Sequence, residues 1–209
     1  MRAIDTRTLA ERGRRIAEIR ADIRGGAVTD ELRAPLLDEF AGLLESLGEL
    51  DEALRIRKEE ELPVYEKLGD VRSRAVTMGQ IADILQARGE LDEALRIRKE
   101  EELPVYEKLG DVRERAITMG KIADILQARG ELDEALRIRK EDQLPVYEKL
   151  GDVRSRLVAE AKLGQLYLLK GEPGRALELW RKALADAQRL RIPEAGIIED
   201  WLKKYIKNK

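Results

Sequence analysis

A string of 41 residues, LDEALRIRKEEELPVYEKLGDVRSRAVTMGQIADILQARGE, begins at Leu50 and begins again at Leu91, changed only at Ser73/Glu114, Val76/Ile117 and Gln80/Lys121. A third copy opens at Leu132 and holds the pattern through Val153 before it drifts. The register runs outward too. Thr29 lies one period before Asp70, the segment from Arg33 overlays that from Arg74, and Pro193 lies one period after Asp152. A fixed period of this length constrains the fold strongly, because each copy is one supersecondary unit that buries its apolar face only by stacking on its neighbours.

Each period reads as two helices. Asp70, Asp111 and Asp152 follow a glycine and precede a long helical pattern, the place for an N-cap acceptor, and Thr29 holds that place in the first unit. In the helix that follows, here called A, Ala75, Met78, Ile81, Ala82 and Leu85 make one apolar stripe. Gly89, Gly130 and Gly171 end it as residues able to turn left-handed. Helix B opens on LDEAL, its acidic pair well placed against the positive end of the macrodipole. Leu50, Ala53, Leu54, Tyr65 and Leu68 supply its buried side. Pro63, Pro104 and Pro145 fall well inside helix B, so the helix either kinks there or breaks and restarts. The near-constant phase of the apolar positions favours a kink. Glu59, Glu60 and Glu61, just before the proline, read as a solvated face.

The ends read as lids. Leu9, Ile16, Ile19 and Ile23 mark an amphipathic helix outside the repeat pattern, stopped by Gly25 and Gly26. Pro193 takes the first helical position of a last segment with Ile197, Ile198, Trp201, Leu202 and Tyr205 along one side, a final helix A without a helix B. The expected organisation is a capping helix over 1–28, four helix-pair repeats over 29–69, 70–110, 111–151 and 152–192, and a capping helix over 193–209. The fold class expected is all-α, an α-solenoid of antiparallel helix pairs.

Composition removes most chemistry. The chain has no Cys and no His, which excludes disulfide scaffolds, zinc fingers, haem attachment, thiol nucleophiles and Ser/His relays. There is no P-loop, GxGxxG or EF-hand loop, and Glu is too abundant for an acid/base pair to be singled out. No catalytic residue, metal or cofactor is expected, and the chain does not read as an enzyme. Forty basic against forty-two acidic residues leave a net charge of −2, so no nucleic-acid partner is expected. Arg12, Arg14, Arg15, Arg20 and Arg24 form a basic face on the first helix but lack interleaved aromatics. No apolar run reaches the roughly 18 residues of a membrane span. Asp5 and Glu11 interrupt the start before a signal-peptide core can build. Neither a membrane partner nor a secretory leader is expected, and the default compartment is the cytoplasm.

The segment LGQLYLLKGEPGRALELWRKAL resembles the tetratricopeptide repeat (TPR) family, with Leu163, Gly164, Tyr167, Gly171, Ala176 and Ala183 at the spacing of its hallmark small and large residues. Ile81, Ala82, Leu85, Gly89 and Ala94, and Ile122, Ala123, Leu126, Gly130 and Ala135, hold the matching places earlier. The longer period, against about 34 residues in the family, sets the chain apart, as do Glu101 where Ala183 later stands and the proline in helix B. These features are similar to the longer variant of kinesin light chains and of the sensor regions of bacterial signal-transduction ATPases. The resemblance implies a right-handed superhelix that binds a peptide or protein in a concave groove lined by the A helices. Carried over by position, the groove residues are Gly79, Asp83 and Gln86, then Gly120, Asp124 and Gln127, with Gly42, Glu45 and Gln165 in the flanking units. The Asp and Gln ladder suits an extended peptide that is basic or presents its backbone, and glycine leaves room for a ligand's main chain. Two other readings stay open: an engineered or idealised scaffold without a native ligand, which the near-identity of neighbouring copies fits, and the excised sensor region of a larger bacterial signalling protein. Exposed apolar residues on the terminal helices permit a homodimer.

Overall fold

The computed structural model describes residues 6–25 and 28–207, and every regular element among them is a helix. Helix α1 spans Thr6–Arg24 and α2 Asp30–Leu47. Helix α3 runs through three consecutive stretches, Leu50–Arg55, Ile56–Glu61 and Leu62–Leu68, and α4 is Val71–Ala87. The alternation repeats in α5 (Leu91–Arg96, Ile97–Glu102, Leu103–Leu109), α6 (Val112–Ala128), α7 (Leu132–Arg137, Ile138–Gln143, Leu144–Leu150) and α8 (Val153–Leu169). Helices α9 (Pro173–Arg189) and α10 (Glu194–Lys207) follow. None of the described helices is long and apolar enough to cross a membrane. The chain divides into two compact units, Met1–Val105 and Tyr106–Lys209, the division falling within α5.

The ends of the A helices follow from their sequence. Asp70, Asp111 and Asp152 accept hydrogen bonds from the backbone N–H of Ser73, Glu114 and Ser155 at 2.9, 3.1 and 3.0 Å, satisfying donors that the first turn leaves unpaired. Thr29 occupies the N-cap of α2 but makes no such bond; its hydroxyl serves the Glu31 carboxylate instead. Gly89, Gly130 and Gly171 take φ of 82°, 81° and 77°, the left-handed turn expected of them. Ala75, Met78, Ile81, Ala82 and Leu85 are all buried, as are Ala53, Ala94, Ala135 and Ala176 at the start of the B helices. At those alanines a larger side chain would hold the paired helices apart.

The B helices depart from expectation in their middle stretch. There the backbone opens into a π-helix: Leu62 donates to the carbonyl of Arg57, five residues back, and Leu103 and Leu144 do the same to Arg98 and Arg139. Proline is the second residue of the α-helical stretch that follows, so its missing N–H falls where the hydrogen-bond ladder is already being reset. Leu62 keeps right-handed helical angles (φ −56°, ψ −47°). Proline is thus absorbed by widening the helix, without the break that sequence allows. Leu68 is exposed, as are Leu109 and Leu150, and Leu50 is half-buried; the tyrosine is buried as expected in the second and third copies (Tyr106, Tyr147), whereas in the first Val64 is buried and Tyr65 half-buried. Glu59 is solvated as expected, but Glu61 is fully buried, a correction explained by its partners below.

The terminal helices each cover an apolar face. On α1, Ile16 and Ile19 are buried and Ile23 is half-buried; the side chain of Leu9, and Gly26, lie outside the described residues. The arginines of α1 help to seat it. Arg12 donates to Ser46, Arg15 forms two bonds to Glu39 at 2.6 and 2.7 Å, and Arg20 lies 5.1 Å above the Phe40 ring. At the other end Ile198 and Leu202 of α10 join Leu157, Ala161, Trp180, Ala183 and Ala187 in one cluster. Trp201 and Tyr205 pack at its edge, and Ile197 faces out.

Candidate binding site on the A helices

The nine groove positions do not share one environment. In the first unit, Gly42 on α2 is exposed, and a Cβ added there would meet nothing within 4 Å. Glu45 accepts a 2.8 Å bond from Arg57. Gly79 on α4 is buried, and an added Cβ would lie 2.8 Å from Glu102 Oε1 and 2.9 Å from Arg98 Nη1. Arg98 also donates to Asp83 at 2.6 Å, while Gln86 is half-buried. In the second unit Gly120 on α6 would place a Cβ 2.0 Å from Gln143 Nε2, and Asp124 accepts from both Arg139 and Lys162. The reason for glycine at 79 and 120 is therefore internal: helix B lays a long polar side chain into the space expected for a ligand's main chain. The carboxylates of Asp83 and Asp124 are likewise engaged by arginines of the protein itself.

Those arginines organise the interior. Arg57 is 2% exposed and donates to Asp38, Glu45, Glu61 and Gln80 at 2.9, 2.8, 2.8 and 2.9 Å. It ties α2 to α4 through α3. Burial works against its charge, but Glu61, Asp38 and Glu45 outweigh that and raise its pKa. Burial raises the pKa of Glu61, against the pull of Arg57 and of the Thr77 hydroxyl, which donates to it at 2.7 Å. Arg139, 1% exposed, keeps less: Asp124, Gln143 at 2.9 Å and the Gly120 carbonyl at 3.4 Å. Here burial prevails over Asp124 and lowers the pKa of the guanidinium.

Two open clefts in the second unit bring several of the groove residues together. Gln127 and Gln165 line one of about 400 Å³ with Trp180, Trp201, Lys204 and Tyr205. Gly120 and Asp124 line another of about 380 Å³ with Lys121, Arg139, Gln143 and Lys162. The first pairs amides with aromatic faces; the second is dominated by cations.

No protein-family model matches this chain, and no curated protein does. Solved structures do. The chain overlays the nearly identical TPR-like repeats of a Podosopora anserina protein assigned to the kinesin light chains with a TM-score of 0.70 at 20% identity, covering 88% of this chain and 91% of that one. BtubC (BKLC) from P. vanneervenii gives 0.69 at 19%, over 88% and 73% of the two chains. A signal-transduction ATPase from Pyrococcus horikoshii with a tetratricopeptide repeat sensor gives 0.71 at 17%, over 85% of this chain and 29% of that one.

The chain has the TPR-like helical-repeat fold. Within that TPR-like frame, the residues missed by sequence reasoning are the buried arginines and their partners. Composition assigns Arg and Glu to the surface. A signal was nonetheless present: Arg57 and Glu61 stand three and seven positions after Leu54, on its own helical face, and the 41-residue register aligns Arg57, Arg98 and Arg139 with Trp180. A position that accepts tryptophan in the last TPR-like repeat is an interior position.

Proposed function

We propose that this chain is a non-catalytic protein-interaction module that holds a peptide or partner protein against its A helices, in the concave groove. One observation carries the reading: Gln127 and Gln165 meet Trp180, Trp201 and Tyr205 in an open cleft. Amides bond a peptide backbone, and aromatic faces beside them seat an apolar side chain. The fold likeness to repeats that serve as the sensor of a signal-transduction ATPase supports the same kind of use. We read residues 29–192 as four repeats bearing this surface and residues 1–28 and 193–209 as its caps. A preference for basic ligands has less support, since Glu45, Asp83 and Asp124 already face arginines.

The test is capture on the immobilised full chain, followed by cross-link mapping and calorimetric titration of whatever is retained. A saturable partner that cross-links to α6 and α8, and is lost on Gln127→Lys with Gln165→Lys, supports the module. Absence of any saturable partner, or one indifferent to the double change, overturns it and favours an idealised scaffold without a native ligand.

A further inference from the structure

In the inner repeats one flank of each A helix is met by the A helix before it. Gln80 on α4 donates to Asp38 on α2 at 3.0 Å, and Lys162 on α8 pairs with Asp124 on α6. Helix α2 has no A helix before it, and Glu39, in the register of Gln80 and Lys162, turns instead to Arg15 of α1. The end face of a repeat stack is ordinarily kept polar where it meets water. Here it turns apolar: Ser73, Glu114 and Ser155 correspond in register to Leu32, and Thr77, Thr118 and Ala159 to Leu36. Leu32 is 64% exposed, the most of any large apolar side chain among the described residues. An apolar side chain set out in water at the very place where a neighbouring helix is missing marks a contact surface.

Leu32 and Leu36 line an open cleft of about 540 Å³ with Ala21, Asp22, Gly25 and Val28. The side of α1 that borders it also carries Arg14 and Glu18, since positions 14, 18, 21 and 25 fall on one helical face. Arg14 and Asp22 are both exposed, and no ion pair among the described residues takes up either. They stand eight residues apart on one helix, about 12 Å along its axis, and cannot meet within one chain. A second α1 running antiparallel and crossing at Glu18 sets them opposite each other twice.

We infer that this cleft is a dimer contact, occupied by α1 of a second copy of this chain. Arg14 of the partner subunit lays its methylenes over Leu32 and Leu36 and brings its guanidinium to Asp22, and the reciprocal pair forms across the two-fold axis. Glu18 meets its own copy at that axis, where Arg15 already holds it at 3.3 Å. Helix α1 is about 28 Å long, so the contact belongs to the small, reversible class. The inference stands apart from the interaction-module reading, since none of its residues lies on α6 or α8.

Sedimentation velocity on the full chain from about 1 to 500 µM shows a monomer–dimer equilibrium with a Kd of about 10–100 µM. Leu32→Ser with Leu36→Thr, which puts back residues that inner copies carry, weakens it at least about tenfold. Arg14→Asp and Asp22→Arg, both at exposed positions, each weaken it at least about tenfold, and the two together return it to within about threefold of the parent, because the exchange restores both pairs. In a chain without cysteine, Glu18→Cys closes an intermolecular disulfide on oxidation at least about ten times faster than Lys67→Cys. A chain monomeric throughout that range overturns the inference, and one that stays monomeric while a foreign helix binds at Leu32 assigns the cleft to another protein. A dimer indifferent to the leucine changes, or charge reversals that fail to rescue each other, overturns it as well.

Discussion

The indole of Trp180 donates to the carbonyl of Ala161 at 2.8 Å, and one period earlier Arg139 donates from the same register position to the carbonyl of Gly120 at 3.4 Å. Both side chains fill the same place between helices A and B. They differ in what else they require: the indole needs apolar walls, and the guanidinium needs a carboxylate.

Trp180→Arg, which copies the earlier repeats, therefore destabilises. The partners Asp124 and Gln143 of Arg139 are replaced one period on by Gln165 and Leu184, so the new charge is buried without compensation. The expected loss is about 3–5 kcal/mol. Trp180→Phe gives up mainly the bond to Ala161 and some packing, about 1–2 kcal/mol. Chemical denaturation ranks the two, and an Arg variant as stable as the Phe variant rules out this account.

Two glycines on the A helices respond oppositely to alanine. At Gly164 a Cβ would stand 2.4 Å from Trp180 Nε1, against a rigid ring that is itself enclosed, and Gly164→Ala costs about 2–3 kcal/mol. At Gly42 the space is empty and the backbone helical, so Gly42→Ala gains about 0.5–1 kcal/mol. Thermal unfolding of the pair, read side by side, gives shifts of opposite sign.

Pro104→Ala changes stability by less than about 1 kcal/mol, because the π stretch before it already accommodates the missing donor. A proline straining an ordinary α-helix would instead release about 3 kcal/mol on replacement. A gain of that size in urea unfolding would contradict the widened turn.

Asp152 gives the protein an acid-sensitive contribution. The Ser155 backbone N–H holds its carboxyl below the ordinary range, opposed by burial and helped by the Ser155 hydroxyl and Arg113. A depressed carboxylate stabilises fully above its unfolded value, about 3.9, and that contribution is lost as pH falls through the folded value. Asp152→Ala costs about 1 kcal/mol at neutral pH. The gap to the parent closes as the solution is acidified below the folded pKa. Thr29→Ala, which removes no capping bond, costs less at neutral pH than Asp152→Ala.

Glu61 has the opposite sign. Burial raises its pKa, so its contribution is complete below the unfolded value of about 4.3 and is lost as pH rises through the folded one. Glu61→Gln, the exchange seen at Gln143, costs at most about 1 kcal/mol at neutral pH because Asp38 and Glu45 still hold Arg57. Glu61→Ala removes the acceptor shared by Thr77, which keeps the Ser73 carbonyl at 3.1 Å, and by Arg57, and leaves a cavity, at a cost of about 2–3 kcal/mol. Stability curves against pH for the three proteins separate in the acid range; coincident curves for Glu61 and its Gln variant would remove the burial argument.

The helices were legible wherever a single residue type has one physical reason to stand at a place. Asp152 caps because a short carboxylate reaches the first turn, and Gly89 ends a helix because it turns left-handed without strain. The apolar stripe from Ala75 to Leu85 was equally plain. The site was less legible. Gly79 has two reasons to exist, room for a ligand or room for Arg98, and periodicity cannot choose between them. The π stretch was hidden because one widened turn shifts the phase of the B helix too little to show in a short pattern.

A chain built from near-interchangeable parts faces a problem of order. Residues 50–90 and 91–131 match so closely that either copy can settle where the other belongs. The odd members prevent this. A slip of one period sets the Trp180 indole against the methyl of Ala123 in place of the hollow at Gly164, and hands Arg98 the acids that Arg57 then lacks. The irregular residues at the two ends thus act as keys that only one alignment of the parts can turn.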